Sequence, residues 1–189
     1  MLEGTKYSLR KKFFKLIGGE VEIFDESENL VLFVHQKGFK LKEAIHVYSD
    51  KTKSQELFSI KARSIIDFGA TYDVTEAGTE KKLGALKRKG LKSILKDEWE
   101  ILDENDLVIG KVTEDSALMA TLRRFLTSLI PQNYDGFIGE TYVADFKQNF
   151  NPFLYKLNID FSHDTQKQLE RRLGISMAIL LALIEGKQS

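Results

Sequence analysis

The sequence predicts a mainly β protein: a closed antiparallel β-barrel of about twelve strands with a buried apolar C-terminal helix through its centre. Two observations lead there. First, apolar and polar residues alternate with period two in segment after segment between Val21 and Phe161, and short polar turns separate the segments. That is the pattern of half-buried antiparallel strands. Second, the run Leu173 to Ile184 is apolar on every face. A helix of that kind must be enclosed by protein or lipid, and a bilayer takes about 20 residues. A flat sheet cannot wrap a helix, whereas a closed one can. Twelve strands spaced ~4.8 Å give a radius on the order of 12 Å. A helix with its side chains takes about 5–6 Å of that, leaving one layer for inward side chains.

The elements follow in order. Val21 and Ile23 alternate with Glu20 and Glu22, turn at Asp25 to Asn29, and return as Leu30 to Val34. Ile45 and Val47 share one face of the next strand. Phe58, Ile60 and Ala62 alternate with Ser59, Lys61 and Arg63. Trp99 and Ile101 alternate with Glu98 and Glu100, turn at Asp103 to Asp106, and return through Leu107 to Val112. Tyr155, Leu157, Ile159 and Phe161 alternate with Lys156, Asn158 and Asp160. The hairpins at 21–25 and 99–103 echo each other, Val-Glu-Ile-Phe-Asp against Trp-Glu-Ile-Leu-Asp.

Two segments have helical spacing. In 116–130, Leu118, Leu122, Phe125, Leu126 and Leu129 fall on one face, with Ser116 as N-cap and Pro131 as the stop. The second helix is expected to start near Asp164 or Thr165, where Thr165 and Gln168 have capping-box spacing, and to run to Glu185 with Gly186 as C-cap.

Composition narrows the function. The 189 residues suit a single domain, 1–189, and balance 28 basic against 28 acidic residues. No overall field draws the protein to nucleic acid or to a membrane, so any electrostatic function must come from local asymmetry. Absence of cysteine excludes a disulfide framework, a thiol nucleophile and a thiolate zinc site. His35, His46 and His163 show no ligand spacing, and no P-loop, dinucleotide fingerprint or nucleophile elbow is present. The expectation is a cytoplasmic protein, peripheral to membranes at most, that is not an enzyme, uses no cofactor and has no transmembrane span.

The chain resembles the LURP-one-related family, part of the Tubby C-terminal-like superfamily that includes the phospholipid scramblases. The likeness is carried by Tyr7-Ser-Leu-Arg-Lys-Lys-Phe13, the Phe24-Asp25 hairpin, the hairpin from Trp99-Glu-Ile-Leu-Asp103 to Ile109-Gly-Lys111, and Leu169-Glu-Arg-Arg-Leu-Gly-Ile-Ser-Met-Ala-Ile-Leu-Leu181. It implies a twelve-stranded barrel around a C-terminal helix. Function does not carry over with the fold: Tubby domains bind phosphoinositides through a basic patch, scramblases are linked to calcium and lipid movement, and many bacterial and plant members have no assigned activity. Two departures stand out: helix 116–130 reads as an insertion, and the cysteine-rich palmitoylation segment of scramblases is missing.

The basic stretch from Lys81 to Lys96 contains no acid. Its residues Lys87, Arg88, Lys89, Lys92 and Lys96, with Arg10 and Lys12 from a second basic run, are the candidate site for an anionic lipid headgroup or a phosphorylated ligand. The competing reading is a solvated face balanced by the acids that follow. Asp103, Asn105 and Glu114 have partial EF-hand spacing, but Leu107 and Val108 occupy positions that need an oxygen ligand and a glycine, so a hairpin turn is expected. Asp160 and Asp164, beside His163, resemble the region where scramblases are proposed to bind calcium; capping of the C-terminal helix is the simpler role. The reading is therefore a non-enzymatic binding module. The alternatives are a protein-interaction domain using helix 116–130, or a scramblase-like membrane-associated protein.

Overall fold

The computed structural model describes residues 2–12, 19–36, 44–63, 69–89, 98–114, 131–149, 151 and 153–184. It contains twelve strands: β1 (Lys6–Lys12), β2 (Gly19–Asp25), β3 (Leu30–Gln36), β4 (Ile45–Tyr48), β5 (Glu56–Ala62), β6 (Thr71–Glu76), β7 (Lys82–Arg88), β8 (Glu98–Leu102), β9 (Val108–Glu114), β10 (Asn133–Ile138), β11 (Thr141–Asn149) and β12 (Leu154–Asp160). Among the described residues one helix follows, α1 (Arg171–Ile184). The expected helix at 116–130 lies outside the described residues.

Each strand pairs antiparallel with its neighbours in sequence, and β1 closes on β12 from Lys6↔Asp160 to Lys12↔Leu154. An up-and-down order sends successive connections to alternate ends. The short connections 26–29, 49–55, 77–81, 103–107 and 139–140 share one end, here the turn end. The connections 13–18, 37–44, 63–70, 89–97, 115–132 and 150–153 start and finish at the other, here the far end. α1 enters from the turn end, because β12 finishes there.

The lumen is apolar. Leu9, Ile23, Leu32, Val34, Phe58, Ile60, Val74, Leu86, Trp99 and Leu157 are buried around the helix, and every residue of α1 from Leu173 to Ile184 is buried. Two glycines set the closeness of helix and wall. A Cβ on Gly174 would lie 2.7 Å from the Phe161 ring, and one on Gly84 would lie 3.0 Å from the Leu173 side chain of the helix as well as 2.5 Å from the Leu102 carbonyl oxygen of the next strand. The single hydroxyl in the buried run, Ser176, donates to the Arg172 carbonyl at 2.7 Å, so it carries no unmet polar group into the core.

α1 begins several residues later than the capping-box spacing predicts. The Asp164 carboxylate does accept backbone N–H groups, from Gln168 at 2.8 Å and Leu169 at 3.1 Å. Lys167, however, sits at φ +53°, which no helix interior accommodates. Residues 164–170 therefore form a turn, and Glu170 is the N-cap: its side chain accepts from Leu173 N–H at 3.0 Å and its carbonyl from Gly174 N–H at 3.0 Å. Near the other end of the helix, Lys11 turns inward from β1, only 6% exposed, and its Nζ donates to the Ala182 carbonyl at 2.9 Å. A cation there complements the negative end of the helix dipole and occupies one of the carbonyls left over in the last turn.

These contacts generate two expectations. Leu180→Asp buries an unpaired carboxylate at the centre of the lumen and is expected to destabilise by more than about 4 kcal/mol, whereas Lys11→Met, which removes the charge-assisted hydrogen bond to the Ala182 carbonyl, costs at least about 1.5–3 kcal/mol; urea unfolding followed by circular dichroism measures both. Trp99, fully buried and 5.9 Å from the Tyr72 ring, is expected to emit at short wavelength and to resist iodide quenching until the barrel unfolds.

Candidate functional site

Strand pairing decides what the basic stretch can do. In β7, Lys87 lies opposite Glu100 and Arg88 opposite Trp99. Trp99 faces the lumen, so Arg88 shares the inner face while Lys87 and Lys89 point outward. On the wall, Lys87 is 3.2 Å from Glu100, and Lys89 is 2.6 Å from Glu98 and 3.3 Å from Glu100. Hydrogen bonds to Glu98 and Glu100 hold the Lys89 ammonium above its usual pKa. Burial opposes the charge of Glu100, but the bonds from Lys87 and Lys89 prevail and keep it below the ordinary carboxylate range. This part of the stretch is a compensated sheet face. Lys92 and Lys96 lie outside the described residues.

The second basic run is elsewhere. Arg10 bonds Glu28 at 2.6 Å and stacks on Phe24 at 4.4 Å. Lys12 occupies the last position of β1, opposite Leu154; its side chain is outside the description. β1 and β7 stand six places apart in a ring of twelve. Arg10 and the Lys87–Lys89 segment are thus on opposite walls, and no single wall patch unites them. Any surface that joins the two basic runs has to be an end of the barrel.

Asp160 and Asp164 serve as caps. Asp160 accepts from Ser162 N–H at 2.8 Å and is 3.7 Å from Lys6; Asp164 holds the turn before α1. Among the described residues no group of three or more His, Cys, Asp or Glu could hold a metal ion. The Asp103 carboxylate accepts from Asn105 and Leu107 N–H at 2.9 and 2.8 Å, and Asp25 accepts from Ser27 and Asn29 N–H at 2.9 Å each. Asp106 and Glu28 take the same positive φ in these two turns, 69° and 62°. The sequence echo is therefore one turn type used twice, and the EF-hand spacing is a hairpin.

Sequence reasoning missed an acidic row on the opposite flank. Register places Asp135, Asp145 and Asp160 side by side on β10, β11 and β12. Burial raises the Tyr142 pKa, and Asp145 and Asp135 raise it further. The signal was present only as isolated aspartates on three alternating strands, and nothing local announces their alignment. Beside the row, a groove of about 400 Å³ runs over β12 and β1, lined among others by Lys6, Ser8, Asp25, Asp145 and Lys156. Its charges are mixed and favour no one ligand sign.

At the far end the lumen becomes polar. Lys11 and Glu114 are buried there, Tyr134 and Tyr155 lie near the same ends of their strands, and Arg88 faces inward beside Trp99. Charge is also unevenly divided along the chain. The residues outside the description contain Lys15, Lys37, Lys40, Lys42, Lys92, Lys96, Arg123, Arg124 and Lys187 against Glu43, Asp67, Asp97, Asp115 and Glu185, an excess of four bases. With 28 of each sign overall, the described residues carry an excess of four acids. All nine of those bases belong to far-end connections or to the segment that follows α1. No helix among the described residues is long and apolar enough to cross a membrane.

A closed twelve-stranded up-and-down barrel threaded by its own C-terminal helix defines a structural class in which the helix belongs to the core. Within that class the chain belongs to the LURP-one-related family, whose profile it matches over residues 5–179. No curated protein matches the sequence.

The carboxylates that cap the turns set the acid response. Asp25 and Asp50 are held below the ordinary carboxylate range by hydrogen bonds from Asn29 and Thr52, and Glu76 and Asp106 by bonds from Arg172 and Arg63. A depressed folded pKa contributes stability above the unfolded value, and that stability is lost as pH falls through the folded one. The urea midpoint is expected to stay level from pH 8 to about 5 and to fall below about pH 4.

Proposed function

We propose that this chain is a non-enzymatic binding module that recognises anionic groups, lipid headgroups or a phosphorylated ligand, through positive charge collected at the far end of the barrel. The division of charge carries this reading: a body with an excess of acids and far-end segments with an excess of bases. A field so arranged orients the molecule towards a negative surface even though the net charge is zero. The outward lysines of β7 contribute little, being paired with Glu98 and Glu100. Binding accordingly rests on the connections, to which Lys92 and Lys96 belong among the sequence-predicted residues. A scramblase-like mechanism in which α1 leaves the barrel is disfavoured, because every residue from Leu173 to Ile184 is buried.

Sedimentation with lipid vesicles tests the proposal. Binding is expected to anionic vesicles and not to neutral ones, and to weaken from 0.1 to 1 M salt as the Debye length shrinks from about 10 to 3 Å. Each lysine near an anionic surface contributes about 1 kcal/mol, so Lys92→Glu/Lys96→Glu is expected to lower the affinity at least about tenfold. Lys53→Glu, at the turn end, leaves it unchanged. Displacement by a soluble polyphosphate would assign the site to a phosphorylated ligand. Equal binding to neutral vesicles, or indifference to the double change, refutes the reading.

A further inference from the structure

The turn end holds a cavity of about 470 Å³ at the mouth of the barrel, where α1 enters. Its apolar lining comes from Leu57 and Phe58 at the start of β5, Ala77 just past β6, and Leu2 ahead of β1. The segment that carries Leu2 is tied to the mouth by two hydrogen bonds: the Thr5 carbonyl accepts from Phe161 N–H at 2.7 Å, and the Gly4 carbonyl from the Tyr7 hydroxyl at 2.9 Å. Leu2 and Leu57 are only partly buried, so apolar surface is left for an occupant to cover. Charged groups complete the lining, and almost all are matched within the protein. Arg172 is 2.6 Å from Glu76 and 2.7 Å from Glu170, Glu170 also accepts Leu173 N–H, and Glu56 lies 2.8 Å from His46 Nδ1. Arg171 is the exception. Its guanidinium lies over the Phe161 ring at 4.4 Å, and its Nη1 is buried with no hydrogen-bond partner among the described residues. The Asp164 carboxylate stands 4.0 Å away, with both oxygens already accepting backbone N–H groups. A buried cationic donor left unmatched is destabilising and calls for an acceptor.

We infer that this mouth is a binding site for a single small amphiphile: an apolar chain that packs on Leu2, Leu57, Phe58 and Ala77, ending in an anionic head, a carboxylate or a phosphate, that meets the Arg171 guanidinium. A barrel mouth of this volume, apolar with a few polar groups, is of the kind that holds small ligands. The sign of the head follows from the hydrogen-bond inventory. The lining has three acids to two bases, yet Glu56, Glu76 and Glu170 are each engaged and Arg172 is spent on two of them. A cationic head therefore gains little, whereas an anion supplies the acceptor that Arg171 lacks, in a bond stronger than a neutral one. The site lies at the opposite end from the connections invoked above for anionic groups, and it stands independently of them.

Isothermal titration calorimetry tests the site with four probes kept below their micelle-forming concentrations: decanoate, decyl phosphate, decanol and decylammonium. At least one of the two anions is expected to bind, one per chain, and the tighter of them assigns the head as carboxylate or phosphate; decanol binds more weakly and decylammonium not at all. Arg171→Gln is expected to weaken the anions by about tenfold or more and to leave decanol unchanged. Because Arg171 also stacks on Phe161, the fold of this variant is checked by circular dichroism and by the emission of the buried Trp99. Leu2→Asp, outside every strand and only partly buried, is the second variant and is expected to weaken anions and decanol alike. Leu107→Asp, an exposed apolar residue at the same end and outside the cavity lining, leaves all four probes unaffected. Absence of binding by either anion, binding of decylammonium as tight as that of decanoate, anion binding indifferent to both Arg171→Gln and Leu2→Asp, or an equal loss with Leu107→Asp overturns the inference.

Discussion

A helix with no polar face cannot be left at a surface, and the architecture answers that one constraint. Leu173 to Ile184 must be surrounded, and the only sheet that surrounds a helix is a closed one. Closure in turn requires β1 to find β12 across the whole length of the chain, which the seven-residue register from Lys6↔Asp160 to Lys12↔Leu154 provides. Wall and helix are then interdependent. The wall contributes one inward face per strand and has no core without the helix, and the helix has no shelter without the wall. Lys11 ties the two chemically, one strand residue spending its charge on a carbonyl of the last helical turn.

Much of this was legible in the chain because burial leaves a period. Alternation at Val21 and Ile23, at Trp99 and Ile101, and at Tyr155 to Phe161 correctly named the inward residues, since a strand with one buried face writes that face into every second position. The start of α1 was not legible: Thr165 and Gln168 have the spacing of a capping box, and only the positive φ of Lys167 shows that the chain turns once more before the helix begins. β7 left two readings open for another reason. Lys-Leu-Gly-Ala-Leu-Lys-Arg reads as a basic run with no acid in it, and its acids, Glu98 and Glu100, arrive from the next strand. The acidic row of Asp135, Asp145 and Asp160 is the same lesson reversed. Cross-strand neighbours are set by register, and register is a property of the closed sheet rather than of any window of sequence.

Function in such a barrel has little access to the interior, which the helix fills. It is left with the wall and the two ends. The wall is cross-linked by pairs such as Arg63 with Asp73 and Arg172 with Glu76, which neutralise it. The turn end is built from short loops held by their own aspartates, Asp25, Asp50 and Asp103. The far end differs from both in length of connection, in charge and in apolar content, and it is there that the two basic runs, set on opposite walls, come nearest to serving one surface.

The order of synthesis gives the closed topology a temporal cost. β1 leaves the ribosome first, yet its second partner, β12, ends at Asp160, and the helix that fills the lumen begins only at Arg171. Throughout translation the growing sheet therefore has two open edges and one bare apolar face, the condition in which strands pair with the wrong chain. The helix is made after every strand and extinguishes this hazard, so the barrel cannot mature while residues Arg171–Ile184 are still held in the exit tunnel. A nascent chain of this kind depends on being shielded until the helix emerges, and its burden on the cell's chaperones is set by how late the helix comes rather than by how stable the finished barrel is.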